Sequence, residues 1–533
     1  MGITTLNFFV FLAIGVLLFY RIPKKMQWMS LLILSIFFYV YASRTMSIFI
    51  GITCISVYLL SLLIERSDLR YKEELRRIKA GEVEGDKKLI KKQNMNRKRL
   101  CIAAAALINV GMLVVLKFYN MIFAEINASF FGGSDRFFPL LSIGLPLGIS
   151  FYTFQAIGYL VDLYRGKVKA EHNFFKVSLF ITFFPQILQG PISRYDQLSP
   201  QLYGEHEFDF QNISDGFYLM LWGIFKKMVI ADRAGMMCDL VFPNYLNYSG
   251  MQFWVALAAY TMQMYGDFSG GIDIIRGAAK MFDIDMVDNF TRPYFSRDIP
   301  EFWRRWHITL GTWFKDYLMY PVALSGVAQN VTKSLRKKGK PHLAKVLPSY
   351  VACIILWMAN GAWHGAGTQY ILFGVYHGIL TILSMEYHDR LVALGDRLHF
   401  NQHCVTWRWF QVLRTMLLVA IGRVIYITPN FHAALVVLKS MVTVPNFWIF
   451  FDGSVFDLGL NSANALILVV ACLILFGVEL AQELGGGMHI RVWMRSQNVL
   501  IRWIIAFGLI FTILIFGIYG KGYDAAGFIY MQY

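Results

Sequence analysis

Apolar runs of about the length that crosses a bilayer as helix recur from one end of the chain to the other, separated by short charged segments. The clearest cover about residues 7–20, 28–42, 47–64, 100–118 and 140–161, and again about 408–427, 463–480 and 500–519. None shows the period-two alternation of strands, so the pattern predicts helices and argues against a barrel. Basic segments follow the first run (21–25), the third (66–99) and the fifth (162–169). Counting passes places all three on one side, which the positive-inside rule makes cytoplasmic and which puts the N-terminus outside. The stretch 66–99 mixes charges of both signs with Gly81 and Gly85. It predicts a solvated helical hairpin or a partly disordered loop. The first run begins at Leu6 without a basic leader or a small-residue cleavage site, which predicts a retained span.

Between about 174 and 322 the pattern loses regularity, interrupted by Pro185, Gly190-Pro191, Pro243 and the glycine cluster at 266–271. Irregular backbone at membrane depth is tolerated only where protein or water satisfies it, so this stretch predicts re-entrant or half-length helices lining a cavity. A second interruption follows from length. No Asp, Glu, Lys or Arg occurs between Lys345 and Glu386. Roughly 40 residues would reach about 60 Å as one helix, twice the ~30 Å of a hydrocarbon core. The chain therefore turns back near 360–367, where Asn360, Trp363 and His364 stand among Gly361, Gly365 and Gly367. Glycine clears side chains from around the imidazole and admits close backbone approach.

Composition agrees with this picture. The chain has 533 residues, of which 56% are hydrophobic and 16% charged. The prediction is one all-α, multi-pass membrane domain spanning 1–533, with 66–99 as a charged cytoplasmic loop, in contact with membrane lipids. The net charge of +16 resides mostly in loops between apolar runs, so topology accounts for it and nucleic acid is not expected as a partner. The 6 cysteines are scattered without a CxxC pair, which supports neither a disulfide framework nor a metal site. His399 and His403 have i, i+4 spacing but no accompanying HExxH glutamate, so zinc is not expected. No internal repeat is evident, which weakens a transporter reading.

The candidate chemistry lies in three segments. An ionisable side chain within an apolar region marks a site, and histidine is the residue best placed to move a proton near neutral pH. His364 is therefore the first candidate. The second is Trp303-Arg304-Arg305-Trp306-His307. Asp298 and Glu301 predict a helix start there, and the spacing predicts that Trp303, Trp306 and His307 share one helix face. Arg304 or Arg305 is suited to a phosphate-bearing donor, although Glu301 and Arg305 also have i, i+4 ion-pair spacing. The third segment, Tyr265–Gly270, places the carboxylate of Asp267 and the hydroxyl of Ser269 at a predicted glycine turn.

Taken in order, these segments resemble the membrane-bound O-acyltransferases (MBOAT), in the bacterial branch typified by the alginate O-acetylation protein. The resemblance rests on Ser150-Phe151-Tyr152-Thr153-Phe154-Gln155, Gln189-Gly190-Pro191-Ile192-Ser193-Arg194, Tyr265–Gly270 and Asn289-Phe290-Thr291-Arg292-Pro293-Tyr294. It continues through Phe302–His307, Trp313–Tyr317, Trp363-His364-Gly365 and the closing Phe528-Ile529-Tyr530. The chain departs from the family at Gly271-Ile272, where an aromatic and a serine are common, and at Asn360, often Gly or apolar. The resemblance implies a helical bundle around a funnel or tunnel, with His364 catalytic and His307 the second important residue. It implies a cytoplasmic acyl-CoA donor, acetyl-CoA, with no bound cofactor or metal. It also implies an extracytoplasmic acyltransferase partner, a cell-surface polysaccharide acceptor and a bacterial plasma-membrane location. On this reading His364 deprotonates the acceptor hydroxyl, and His307 or a nearby amide stabilises the oxyanion or binds the donor. Trp303, Arg304, Arg305, Trp306, Asp267, Ser269, Asn360 and Trp363 are the substrate-binding candidates. Three alternatives stand beside it: D-alanyl transfer from a carrier protein towards teichoic acid, a polysaccharide or lipid transporter, and a scaffold for a secreted enzyme.

Overall fold

The computed structural model describes residues 2–130, 138–141, 144–365, 367–399, 401–402, 404–487, 489–520 and 527. His403, Ala366 and the closing segment 528–530 lie outside the described residues. Among the described residues there is no strand, and an isolated antiparallel bridge joins Phe290 to Trp306. Among the described residues, six helical stretches are long and apolar enough to cross a membrane: Lys24–Lys79, Lys87–Phe130, Pro341–His364, Val405–Ile427, Ser462–Leu484 and Val499–Phe516. The last has no buried residue although nearly every position is apolar. Water would reject such a surface, and lipid accepts it. The all-α, multi-pass membrane architecture predicted from the hydrophobic pattern is the one found.

The chain divides into two compact units, Met1–Ile213 with Ala278–Met286, and Ser214–Gly277 with Val287–Tyr533. In the first, the charged stretch 66–99 is a helical hairpin formed by Ser47–Lys79 and Lys87–Ala105. It is pinned where the Lys98 Nζ donates to Asp68 at 2.9 Å and Asn94 donates to the same carboxylate at 2.9 Å. The apolar run expected over 140–161 becomes helical only at Ile149, because Pro146 and the left-handed Gly148 (φ +67°) precede it. That helix, Ile149–Tyr164, is buried on nearly every side, as suits the centre of a bundle rather than its rim. It carries motif residues 150–155. The 189–194 motif follows the short helices Phe174–Thr182 and Phe184–Gln189, the half-length elements the proline pattern predicted.

Met251–Lys280, most of it in the second unit, is one unbroken helix of 30 residues. The turn expected at 265–270 is absent. The glycines there serve close packing instead: a Cβ on Gly270 would lie 2.7 Å from the Gly223 carbonyl oxygen. Small residues let helix backbones touch in this way. The segment packed against them, Phe225–Ala231, is a π-helix, and its wide turn carries the buried Lys226 and Lys227.

The turn-back predicted near 360–367 is present. Pro341–His364 runs up to His364 as its last residue, and Thr368–Arg397 returns. The two backbones meet at glycine: a Cβ on Gly374 would sit 2.2 Å from the Trp357 carbonyl oxygen. Gly374→Ala is therefore expected to force the hairpin apart and to destabilise it by about 1–3 kcal/mol. A lowered thermal-unfolding midpoint in detergent would register this, and an unchanged midpoint would mean that the contact is not tight.

Candidate active site

The segment holding His307 folds differently from its periodicity. The helix Ile299–Arg305, capped by Asp298 Oδ1 accepting from the Glu301 amide at 2.6 Å, stops at Arg305. Trp306 is extended and bridges to Phe290, and His307 is left-handed (φ 46°, ψ 55°) at the start of the next helix, Ile308–Phe314. Trp303 and His307 therefore do not share a helix face. The reason is Asn289, which periodicity on 299–314 does not see. Its carbonyl accepts from Ile308 N at 3.0 Å, and its Oδ1 accepts from Thr309 N at 3.1 Å and Thr309 Oγ1 at 3.0 Å. A non-glycine residue held at positive φ is strained backbone, kept only where surroundings over-determine it.

Asn289 also sets the histidine's chemistry. His307 Nδ1 is 3.1 Å from the same Oδ1. An oxygen accepting from two other groups is an acceptor here too, so the imidazole proton sits on Nδ1 and Nε2 presents a lone pair. His307 lies outside the six long apolar helices. Burial disfavours its cation and pushes its pKa down to about 3. A neutral ring with Nε2 as acceptor suits a group that receives a hydrogen bond from substrate and is unsuited to stabilising an oxyanion.

His364 is 5% exposed at the helix end. Its Nδ1 lies 3.2 Å from the Tyr426 hydroxyl, and its ring stands edge-on to those of Tyr426 (5.2 Å) and Phe373 (6.0 Å). Trp363 stands against both histidines, its ring centre 4.6 Å from His364 and 5.7 Å from His307. Trp303 and Trp306 line a small cavity with His364, together with His377, Arg423 and Tyr426. Trp306 is buried and stacks on Phe302 at 5.7 Å. Asn360 is buried one turn before His364 in the same helix.

The remaining predicted residues are held in ion networks. Asp267 pairs with Lys227 at 2.6 Å, and Lys227 also pairs with Asp232 at 2.8 Å. Ser269 receives the Lys226 ammonium at 2.9 Å and donates to the Tyr265 carbonyl at 2.6 Å. Lys226 reaches Asp273 at 2.7 Å, and the Tyr265 hydroxyl donates to the buried Glu479. Arg305 is clamped between Glu301 (2.7 Å) and Glu483 (3.0 Å), the second carboxylate being shared with Arg292 and Arg408. Arg304 is exposed.

Sequence reasoning missed Tyr426, Arg423 and His377, and named Asn289 only within the family motif and not as a site residue. Arg423 and His377 carried a usable signal, since each is an isolated ionisable residue in an apolar helix. Tyr426 carried none.

Comparison with known proteins addresses the family. The family model for MBOAT, the membrane-bound O-acyltransferase family, matches residues 168–335. The chain is 30% identical over 427 residues to the probable alginate O-acetylase AlgI of Pseudomonas syringae pv. tomato, covering 80% of this chain and 72% of that protein. It is 30% identical over 372 residues to the peptidoglycan O-acetyltransferase of Helicobacter pylori, covering 65% of each chain. It is 26% identical over 237 residues to the teichoic acid D-alanyltransferase of Bacillus subtilis, covering 44% of this chain and 57% of that one. Similarity of this extent, joined to an all-helical membrane architecture, settles the family: this chain belongs to the membrane-bound O-acyltransferases.

Proposed function

We propose that the protein moves an acetyl group from cytoplasmic acetyl-CoA to an acceptor hydroxyl on the outer side of the bacterial plasma membrane. An extracytoplasmic acyltransferase partner then delivers it to a cell-surface polysaccharide. The observation that carries the reading is the burial of His364 at a helix break, with its Nδ1 fixed by Tyr426 and its ring on a cavity shared with Trp303 and Trp306. Two relatives named as O-acetylating enzymes support the acetyl donor.

In the proposed step, Nδ1–H of His364 donates to the Tyr426 oxygen, which leaves Nε2 as the base. Nε2 takes the acceptor hydroxyl's proton while that oxygen attacks the thioester carbonyl carbon. Collapse of the tetrahedral species breaks the carbon–sulfur bond. The departing CoA thiolate takes the proton back from His364, giving an ester and a free thiol. No acyl group on the protein is required. His307 accepts a hydrogen bond at Nε2 from the donor or the acceptor, and Trp363 holds the two rings at their separation. The buried carboxylate of Asp267 acts through Lys227 on the helix packing behind the site.

The second reading, transfer of D-alanyl from a carrier protein, is favoured by the Bacillus subtilis relative. Purified protein in nanodiscs, offered acetyl-CoA or D-alanyl carrier protein with a hydroxyl acceptor, separates the two by release of free thiol. Acetyl-CoA is expected to be consumed and the carrier thioester spared. The reverse preference would replace the donor assignment. Consumption of neither would leave a transporter or scaffold.

A further inference from the structure

The small cavity beside His364 holds two buried polar groups that the acyl-transfer step above does not use. Arg423, on the Val405–Ile427 helix, is 4% exposed. Its Nη2 donates to the Tyr294 hydroxyl at 3.1 Å, and its guanidinium faces the rings of Tyr294 and Trp306 at 5.3 Å and 5.2 Å. Its Nη1 has no hydrogen-bond partner among the described residues. No carboxylate among them stands within ion-pairing distance of it. His377 is 0% exposed, enclosed by Trp303 (4.8 Å), Phe373 (4.7 Å) and Trp357 (5.6 Å), and neither ring nitrogen has a partner among the described residues. The helix facing it makes room: a Cβ on Gly422 would lie 2.5 Å from His377 Nε2.

We propose that Arg423, with His377 beside it, forms the acyl-carbonyl pocket of the enzyme and selects a short, uncharged acyl group over an aminoacyl one. Buried polar groups are nearly always paired, and an unpaired one is costly, most of all a charged one. Two of them on one cavity call for a ligand that brings acceptor atoms. A guanidinium only donates. The carbonyl oxygen of a thioester accepts, and it accepts more strongly as it gains charge in the tetrahedral species. The cavity measures about 30 Å³. A space of that size favours a small acyl group. A D-alanyl thioester would place an α-ammonium beside the same carbonyl. A buried guanidinium with no carboxylate to balance it repels that charge.

The inference rests on the acyl-transfer reading, and the test separates the two. Wild-type protein, His364→Ala, Arg423→Gln, Arg423→Lys and His377→Gln are assayed in nanodiscs with acetyl-CoA and with a D-alanyl thioester of CoA. Binding of the carbonyl-free thioether S-ethyl-CoA is measured in parallel. Arg423→Gln is expected to lose about 100-fold or more in kcat with acetyl-CoA. It should bind S-ethyl-CoA like the parent and discriminate less against the D-alanyl thioester. His377→Gln is expected to lose less. Arg423→Lys keeps the charge but shortens its reach and removes the fork, and it should lose at least about tenfold in kcat. It decides the matter if the glutamine variant does not fold. Wild-type protein that leaves acetyl-CoA intact would overturn the functional reading itself. A working wild type, an inactive His364→Ala and parent-level turnover in a folded Arg423 variant would overturn this inference alone.

Discussion

His364→Ala is expected to lower acetyl transfer by about 10²–10⁴-fold, the range a positioned general base contributes, and to leave the protein inserted and folded. His364 is the last residue of its helix. The helix it ends is closed by Gly365 N donating to the Gly361 carbonyl, which the substitution does not touch. The ring borders an existing cavity and hydrogen-bonds Tyr426. Losing that bond removes about 0.5–1.5 kcal/mol, which a large helical bundle tolerates. His364→Gln sharpens the comparison, because glutamine keeps volume and hydrogen bonding but takes no proton. Both variants should run as monodisperse protein with a parental unfolding midpoint and release almost no thiol. A glutamine variant with parental turnover would show that residue 364 acts by shape rather than by proton transfer.

The parts of this site that the sequence revealed are those in which a single residue type breaks a pattern. The break at 360–367 was legible because forty uncharged residues are too long for one crossing, and three glycines marked where the chain returns. The lipid-facing helices were legible because lipid tolerates uninterrupted apolar surface. What local periodicity missed comes from contacts between residues distant in the chain. His307 was placed on a continuous helix because i, i+3 and i, i+4 spacing fitted. Asn289, 18 residues earlier, diverts the backbone there into a left-handed turn. The glycines of 265–270 look like a turn in one dimension, and in three they are the contact surface for Gly223 and Lys226. Tyr426 reaches His364 across 62 residues, a pairing no local window contains.

Lys227→Met is expected to destabilise the second unit by about 3–5 kcal/mol, the range for breaking a buried pair from one side. The Lys227 side chain is 2% exposed and meets Asp267, also 2% exposed, at 2.6 Å. It also meets Asp232 at 2.8 Å and the Gly527 carbonyl at 2.9 Å. Removing the ammonium takes away the cation that both carboxylates contact, at a place where the backbones of two helical segments touch. Adding Asp267→Asn should recover part of the loss, since it removes one of the stranded charges. Unfolding midpoints of the single and double variants in detergent provide the check. A single variant as stable as the parent would mean that the ammonium does not hold these carboxylates. Recovery in the double variant would assign Asp267 a supporting role through Lys227.

In the proposed mechanism the His364 imidazole, at a helix break, passes a proton during thioester cleavage. The most direct measurement of this step is single-turnover transfer from [¹⁴C]acetyl-CoA to a hydroxyl acceptor by purified protein in nanodiscs, parent against His364→Gln. This mechanism predicts labelled ester and stoichiometric free thiol with the parent, and neither above background with the variant. Equal label transfer by both proteins would contradict it.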